Sequence, residues 1–128
     1  MTPTDLRYSM THEWARPEGD VVTMGITDFA VAQLGDIVFL ELPMPGKMVT
    51  KDAPLGVIES VKAAVDLNSP ITGEIVETNK AVTENFDLLT GEPYAGGWMV
   101  KIKVSEPAEI EQLMDAKAYD TFTQSQAH

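Results

Sequence analysis

The sequence predicts a mainly β domain whose strands divide between two small facing sheets. Three features lead to it. Apolar residues fall in short runs dense in branched and aromatic side chains, among them Ile37-Val38-Phe39-Leu40 and Leu55-Gly56-Val57-Ile58, with Gly, Pro, Asn and Asp marking the breaks. Helical spacing of apolar residues is confined to a short stretch around Phe29 and a longer one after Ser105. There is also a faint internal echo. Gly46-Lys47-Met48-Val49 leads through a polar turn to Leu55-Gly56-Val57-Ile58, and Gly73-Glu74-Ile75-Val76 leads through another to Ala81-Val82 and then Leu88-Leu89. Two such units are too few for a solenoid, but they can form two sheets around one core.

In chain order, residues 8–16 read as a strand around Trp14. Pro17 and Gly19, second and fourth counted from Arg16, predict a type I turn, and residues 21–26 return as the second strand of a hairpin. Thr27 or Asp28 caps a short helix over residues 28–34, with Phe29, Ala30 and Leu34 on one face and Gly35 as a left-handed C-cap. Residues 36–42 form a strand that Pro43-Met44-Pro45-Gly46 breaks. Asn68-Ser69-Pro70 and Ile71-Thr72-Gly73 are turn chemistry, and residues 91–97 make the longest loop. From Trp98 the pattern alternates, with Val100, Ile102 and Val104 on one face and Lys101 and Lys103 on the other, a half-buried strand. Ser105-Glu106-Pro107 starts a single C-terminal helix with the stripe Ile110, Leu113, Met114, Ala118 and Phe122, and residues from about 123 to 128 read as a frayed tail.

The 128 residues suit one domain, 1–128, large enough for a core without staples. There is no cysteine, which excludes disulfides, thiolate metal sites and cysteine nucleophiles. Only His12 and the terminal His128 are present, so a histidine metal site or a Ser–His dyad would rest on His12 alone, and no metal site is expected. The formal net charge of −11 argues against nucleic acid and anionic membranes and favours basic partner surfaces. No apolar run approaches the length of a membrane span. The first seven residues lack both an apolar signal core and a basic amphipathic pattern, so the expected location is the bacterial cytoplasm, although a trimmed organellar chain would read similarly.

The stretch 55–67 is the one around which the rest is organised. Lys62 stands between two strand-like runs, at the predicted tip of a hairpin, where a side chain points into solvent. An ordinary solvated lysine is one reading; a long amine on a rigid support for a modifying enzyme is the other. Two carboxylates, Glu59 and Asp66, flank it, but nothing around them sets one as acid and the other as base. Trp14 has much apolar area to hide and reads as core; Glu13 alternates to the opposite face and toward solvent, and His12 reads as a loop histidine rather than a proton shuttle.

The pentapeptide Glu59-Ser60-Val61-Lys62-Ala63 resembles the lipoyl-attachment motif of the glycine cleavage system H protein family. The resemblance extends over nearly the whole chain, through His12-Glu13-Trp14, residues 25–30, residues 33–38, Leu42-Pro43, Ser69-Pro70 to Gly73, and Pro93-Tyr94 to Gly97-Trp98, in the family's order. Three positions depart from the family pattern in the loop before Trp98: Phe86 where proline is usual, Thr90 where asparagine is usual and Ala95 where glycine is usual.

The resemblance implies a barrel-sandwich hybrid, the fold of lipoyl and biotinyl carriers, with an N-terminal hairpin, a short helix and a C-terminal helix packed on it. It implies lipoate in amide linkage to Lys62, which removes the lysine charge. It implies that Glu59, Asp66 and Gly73 take part in recognition by a lipoyl ligase or transferase, and that Glu13 and His12 belong to a cleft in which the loaded arm docks. By the same resemblance the chain has no catalytic residues of its own and acts as a monomeric shuttle, carrying an aminomethyl group from glycine decarboxylase to the aminomethyltransferase and electrons to dihydrolipoyl dehydrogenase. Two rival readings share much of this sequence: an H-like relay that passes lipoyl groups to other enzymes, and an unmodified adaptor whose acidic face binds basic partners.

Overall fold

Residues 3–126 are described by a computed structural model. The strands are β1 (Arg7–Tyr8), β2 (Glu13–Glu18), β3 (Val21–Ile26), β4 (Ile37–Glu41), β5 (Met48–Val49), β6 (Pro54–Ser60), β7 (Ala64–Asn68), β8 (Gly73–Thr78) and β9 (Val100–Val104). The helices are α1 (Asp28–Leu34), α2 (Lys80–Glu84), α3 (Asp87–Gly91), α4 (Ala108–Glu111) and α5 (Ala116–Gln126). Six strands form one sheet in the order β1-β2-β3-β9-β8-β5, and three form a second in the order β4-β6-β7. The expected pair of facing sheets is thus present, in the sandwich form rather than as a closed barrel. Val22, Met24, Ile75, Val100 and Ile102 of the larger sheet and Leu40, Leu55, Ile58 and Leu67 of the smaller belong to one buried apolar cluster. Alternation along β8 and β9 puts these residues inside and their neighbours toward solvent, whereas β3 is buried almost throughout.

The glycine-led echo has a structural counterpart. Its two leading strands pair, Met48 with Glu74 and Val49 with Gly73. The second segments differ: Leu55 to Ile58 lie in β6, whereas Val82 and Leu89 sit on α2 and α3 and are fully buried against the same core. Phe86 and Thr90 therefore flank or lie in α3 rather than in an open loop; Phe86 packs on the core and the Thr90 hydroxyl donates to the Phe86 carbonyl at 3.3 Å. Ala95 alone remains in the loop proper. That loop is tied down by the Trp14 indole N–H donating to the Pro93 carbonyl (2.9 Å), Arg16 donating to the Tyr94 carbonyl (2.7 Å), and the Tyr94 hydroxyl donating to Asp28 (2.8 Å). Trp14 is wholly buried, as its size predicts.

Three local expectations are corrected. The first strand is interrupted, with residues 9–12 forming a loop between β1 and β2. The hairpin that follows pairs Glu18 with Val21, leaving a two-residue loop in which Gly19 has φ +67°. Positive φ at the first loop residue matches the twist of the flanking strands better than the predicted type I turn. The C-terminal helix is also broken in two. Met114 exchanges backbone hydrogen bonds with Tyr8, each 2.8 Å, and that strand-like bridge ends α4. Asp115 then restarts the helix by accepting the Ala118 N–H at 2.8 Å. The restart resets the register, so Ala116 and Tyr119 are buried while Ala118, expected inside, is exposed. Helix α5 continues to Gln126, beyond where fraying was expected to begin; residues 127–128 lie outside the described residues.

Candidate functional site

The chain turns between β6 and β7 at residues 61–63, and the turn is fixed from three directions. The Ser60 N–H donates to the Ala63 carbonyl at 2.8 Å. The Ser60 hydroxyl accepts from the N–H groups of Lys62 and Ala63, both at 3.2 Å. The Val61 N–H donates to the Asp36 carbonyl at 3.1 Å, which ties the tip to the segment leading into β4. Lys62 is exposed, and among the described residues its ammonium has no ion-pair partner. Its stem passes Gly35, where φ is +76° and a Cβ would come 3.6 Å from Lys62 Cε. The result is an exposed amine on a turn held by hydrogen bonds.

Beside this tip is a cavity of about 250 Å³. Helix α1 lines it with Ala30, Gln33 and Leu34, β7 with Val65 and Leu67, and residues 11–13 add to the lining. Thr27 starts α1 by accepting the Ala30 N–H at 3.2 Å, and Gly35 ends it, so the helix is one short wall element. The lining is mainly apolar, with Glu13 and Asp66 the acidic residues among it.

Glu13 is not solvated as its strand alternation suggested: it is 1% exposed. One carboxylate oxygen accepts from the Ser9 hydroxyl at 2.6 Å and from the Thr11 hydroxyl, and the other accepts the Asn68 N–H at 3.1 Å. Burial pushes the Glu13 pKa above its ordinary value, and these hydrogen bonds oppose the shift without cancelling it. The folded state therefore binds this proton more tightly than the unfolded chain. The stability it contributes is fully present below the ordinary carboxylate pKa and is lost as pH rises through the higher folded value. Glu13→Gln removes that dependence. Its melting temperature relative to wild type should rise between pH 4 and pH 7, as read by parallel thermal melts; a pH-independent difference would mean that Glu13 titrates normally in the fold.

His12 sits beside it with φ +73°. Its ring lies 4.7 Å from that of Phe29 and its Nδ1 is 2.8 Å from the Tyr119 hydroxyl. His12, Glu13, Asp66 and Ala63, the neighbour of Lys62, all line the one cavity. Glu59 does not. It is half-buried on β6, paired with Phe39 and Ala64, and its strand position puts it on the outer face of the small sheet. Gly73 lies in the other sheet, buried between Val49 and Val104. There a Cβ would collide with the Lys103 carbonyl and come 2.8 Å from Ile102 Cγ2. Sequence reasoning passed over Ser9 and Thr11, although hydroxyls two and four residues before a strand carboxylate were a visible signal.

The family model for the glycine cleavage H-protein matches residues 6–126. The chain belongs to the glycine cleavage H-protein family. The mitochondrial glycine cleavage system H protein of Pisum sativum is 49% identical over 121 residues, 94% of this chain and 73% of that protein. The H protein of Trichormus variabilis is 50% identical over 117 residues, 91% of this chain and 90% of that one. A crystal structure of a glycine cleavage system H protein from Mycobacterium marinum superposes with a TM-score of 0.87 at 34% identity, covering 95% of this chain and 98% of that chain. H proteins are lipoyl-bearing shuttles. In this one the residues present suit such a group: an exposed amine on a fixed turn, and alongside it an apolar-walled cavity whose lining includes Glu13. Among the described residues no helix is long and apolar enough to cross a membrane.

Proposed function

We propose that Lys62 carries lipoate in amide linkage and that the cavity between α1 and β7 receives the end of that arm. The observation that supports this best is that Ala63, next to the lysine, and Glu13 line one and the same cavity. When bound, the lipoyl group supplies a disulfide that takes up and returns two electrons and a one-carbon group. The chain's own residues do the rest. Ser60 holds the turn so that a ligase or transferase meets one shape, and the amide cancels the Lys62 charge. Leu34, Val65 and Leu67 exclude water from the docked arm. Glu13, already holding three donors, has acceptor capacity left for a fourth. A primary ammonium brought to it would gain a charge-assisted hydrogen bond in a partly dry site, on the order of 1.5–3 kcal/mol.

On this reading residues 1–128 are one carrier domain that works as a monomer and is not itself an enzyme. Its partners are glycine decarboxylase, the aminomethyltransferase, dihydrolipoyl dehydrogenase and the attaching ligase or transferase, with basic partner surfaces meeting a chain of net charge −11. The test is reconstitution: lipoylated protein added to the three partner enzymes should support glycine-dependent release of carbon dioxide. Full lipoylation with no such activity would instead make the chain a lipoyl relay.

A further inference from the structure

Tyr119 does not line the cavity, yet its hydroxyl touches both structures that bound it. That oxygen is 2.8 Å from His12 Nδ1 and 2.7 Å from Thr27 Oγ1. His12 lines the cavity, and Thr27 caps α1 through the N–H of Ala30, another lining residue. A second tie joins the same parts: the Thr27 N–H donates to the His12 carbonyl at 3.0 Å. The backbone bond fixes a pivot between the loop and the helix; the tyrosine hydroxyl fixes the angle about it. His12 also holds a left-handed backbone, φ +73°, which a non-glycine residue keeps only when its surroundings impose it. Its ring is confined among Phe29, Tyr119 and Phe122, at centroid distances of 4.7, 5.8 and 5.9 Å.

We propose that Tyr119, on the C-terminal helix, is a positioning residue that sets the width of the arm-docking cavity by holding His12 and the first turn of α1 in fixed relation. The inference rests on the reading that the cavity receives the arm. Within it, α5 serves more than packing: one buried hydroxyl on its inner face determines how closely two cavity walls approach.

The experiment compares Tyr119→Phe with two other variants. Tyr119→Phe keeps the ring stacked on Tyr8, at 4.6 Å between centroids, and removes only the hydroxyl. Tyr8→Phe is the matched control, since it also removes a buried tyrosine hydroxyl, but one that donates to the Pro3 carbonyl, away from the cavity. Glu13→Gln tests the docking reading itself. In the unmodified protein, amide hydrogen exchange at Ala30 should be about two- to tenfold faster in Tyr119→Phe and unchanged in Tyr8→Phe, the range set by one net hydrogen bond. In lipoylated, aminomethyl-loaded protein without aminomethyltransferase, formaldehyde release should quicken by a similar factor in Tyr119→Phe and in Glu13→Gln, but not in Tyr8→Phe. Para-aminophenylalanine at position 119 restores a donor and acceptor at the ring's para position and should bring both rates back toward wild type. That variant stands in if the phenylalanine form folds poorly, and failure to rescue overturns the proposal. So does equal acceleration in Tyr8→Phe and Tyr119→Phe, which would make the hydroxyl merely structural. Faster release in Glu13→Gln with a wild-type rate in Tyr119→Phe overturns the role of Tyr119 alone; wild-type rates in both overturn the docking reading with it.

Discussion

Lys62→Arg should abolish lipoylation completely and leave the fold as it is. Arginine keeps the charge and a long exposed stem, and exposed substitutions away from special features change stability by within about 0.5 kcal/mol. Only the acylable amine is lost. The other lysines near turns lack the setting. Lys47 lies just after Gly46 in an exposed connection, Lys80 opens α2, and Lys51 is paired with Asp52 at 3.2 Å. None stands in a turn of this kind between two paired strands. Intact mass of protein made in a lipoylating host should show one lipoyl group on wild type and none on the variant, with matching melting curves. Lipoyl mapped to another lysine, with Lys62 free, would defeat the assignment.

Gly73→Ala should cost about 3 kcal/mol, because the added methyl group meets backbone on a neighbouring strand that cannot swing away. For a domain of this size that is a fall of roughly 10 °C in Tm. Lipoylation should then fall in proportion to the fraction unfolded, not below it. Glu59→Lys is the contrast. Its side chain is on the outer face, so Tm should hold within about 0.5 kcal/mol while lipoylation drops, if the ligase reads that carboxylate. Melting temperature and extent of modification, measured together on both variants, separate the two roles. A Gly73→Ala protein of wild-type stability that fails to be lipoylated would support a recognition role for the glycine.

The difference between these residues shows where the sequence was readable. Short runs of branched and aromatic residues between turn residues located β3, β4, β6 and β7, and period-two alternation located β9, because strands impose these patterns locally. The Lys62 tip was legible for the same reason: its two strands pair with each other across a short turn. Gly73 was not, because a turn glycine and a glycine crowded by a distant strand look alike until β8 and β9 are paired. Glu13 was misplaced toward solvent because alternation assigns faces, while its carboxylate is enclosed by Ser9 and Thr11 of the preceding loop and by Asn68, far along the chain. The break at residues 112–115 was missed because the bridge that stops α4 is to Tyr8, at the other end of the sequence. Contacts of that range shape the cavity's lining, which is why its residues were only partly anticipated.

The order of the large sheet has a bearing on behaviour at high concentration. Its two outermost strands, β1 and β5, are each two residues long. A second copy approaching from either side finds almost no row of free N–H and C=O groups to zip onto, and it carries the same net charge of −11. The working tip lies on the other sheet, whose edges β4 and β7 are five residues long, so beside the uncovered Val61 and Val65 it is the shared negative charge that opposes stray strand addition and fibre growth.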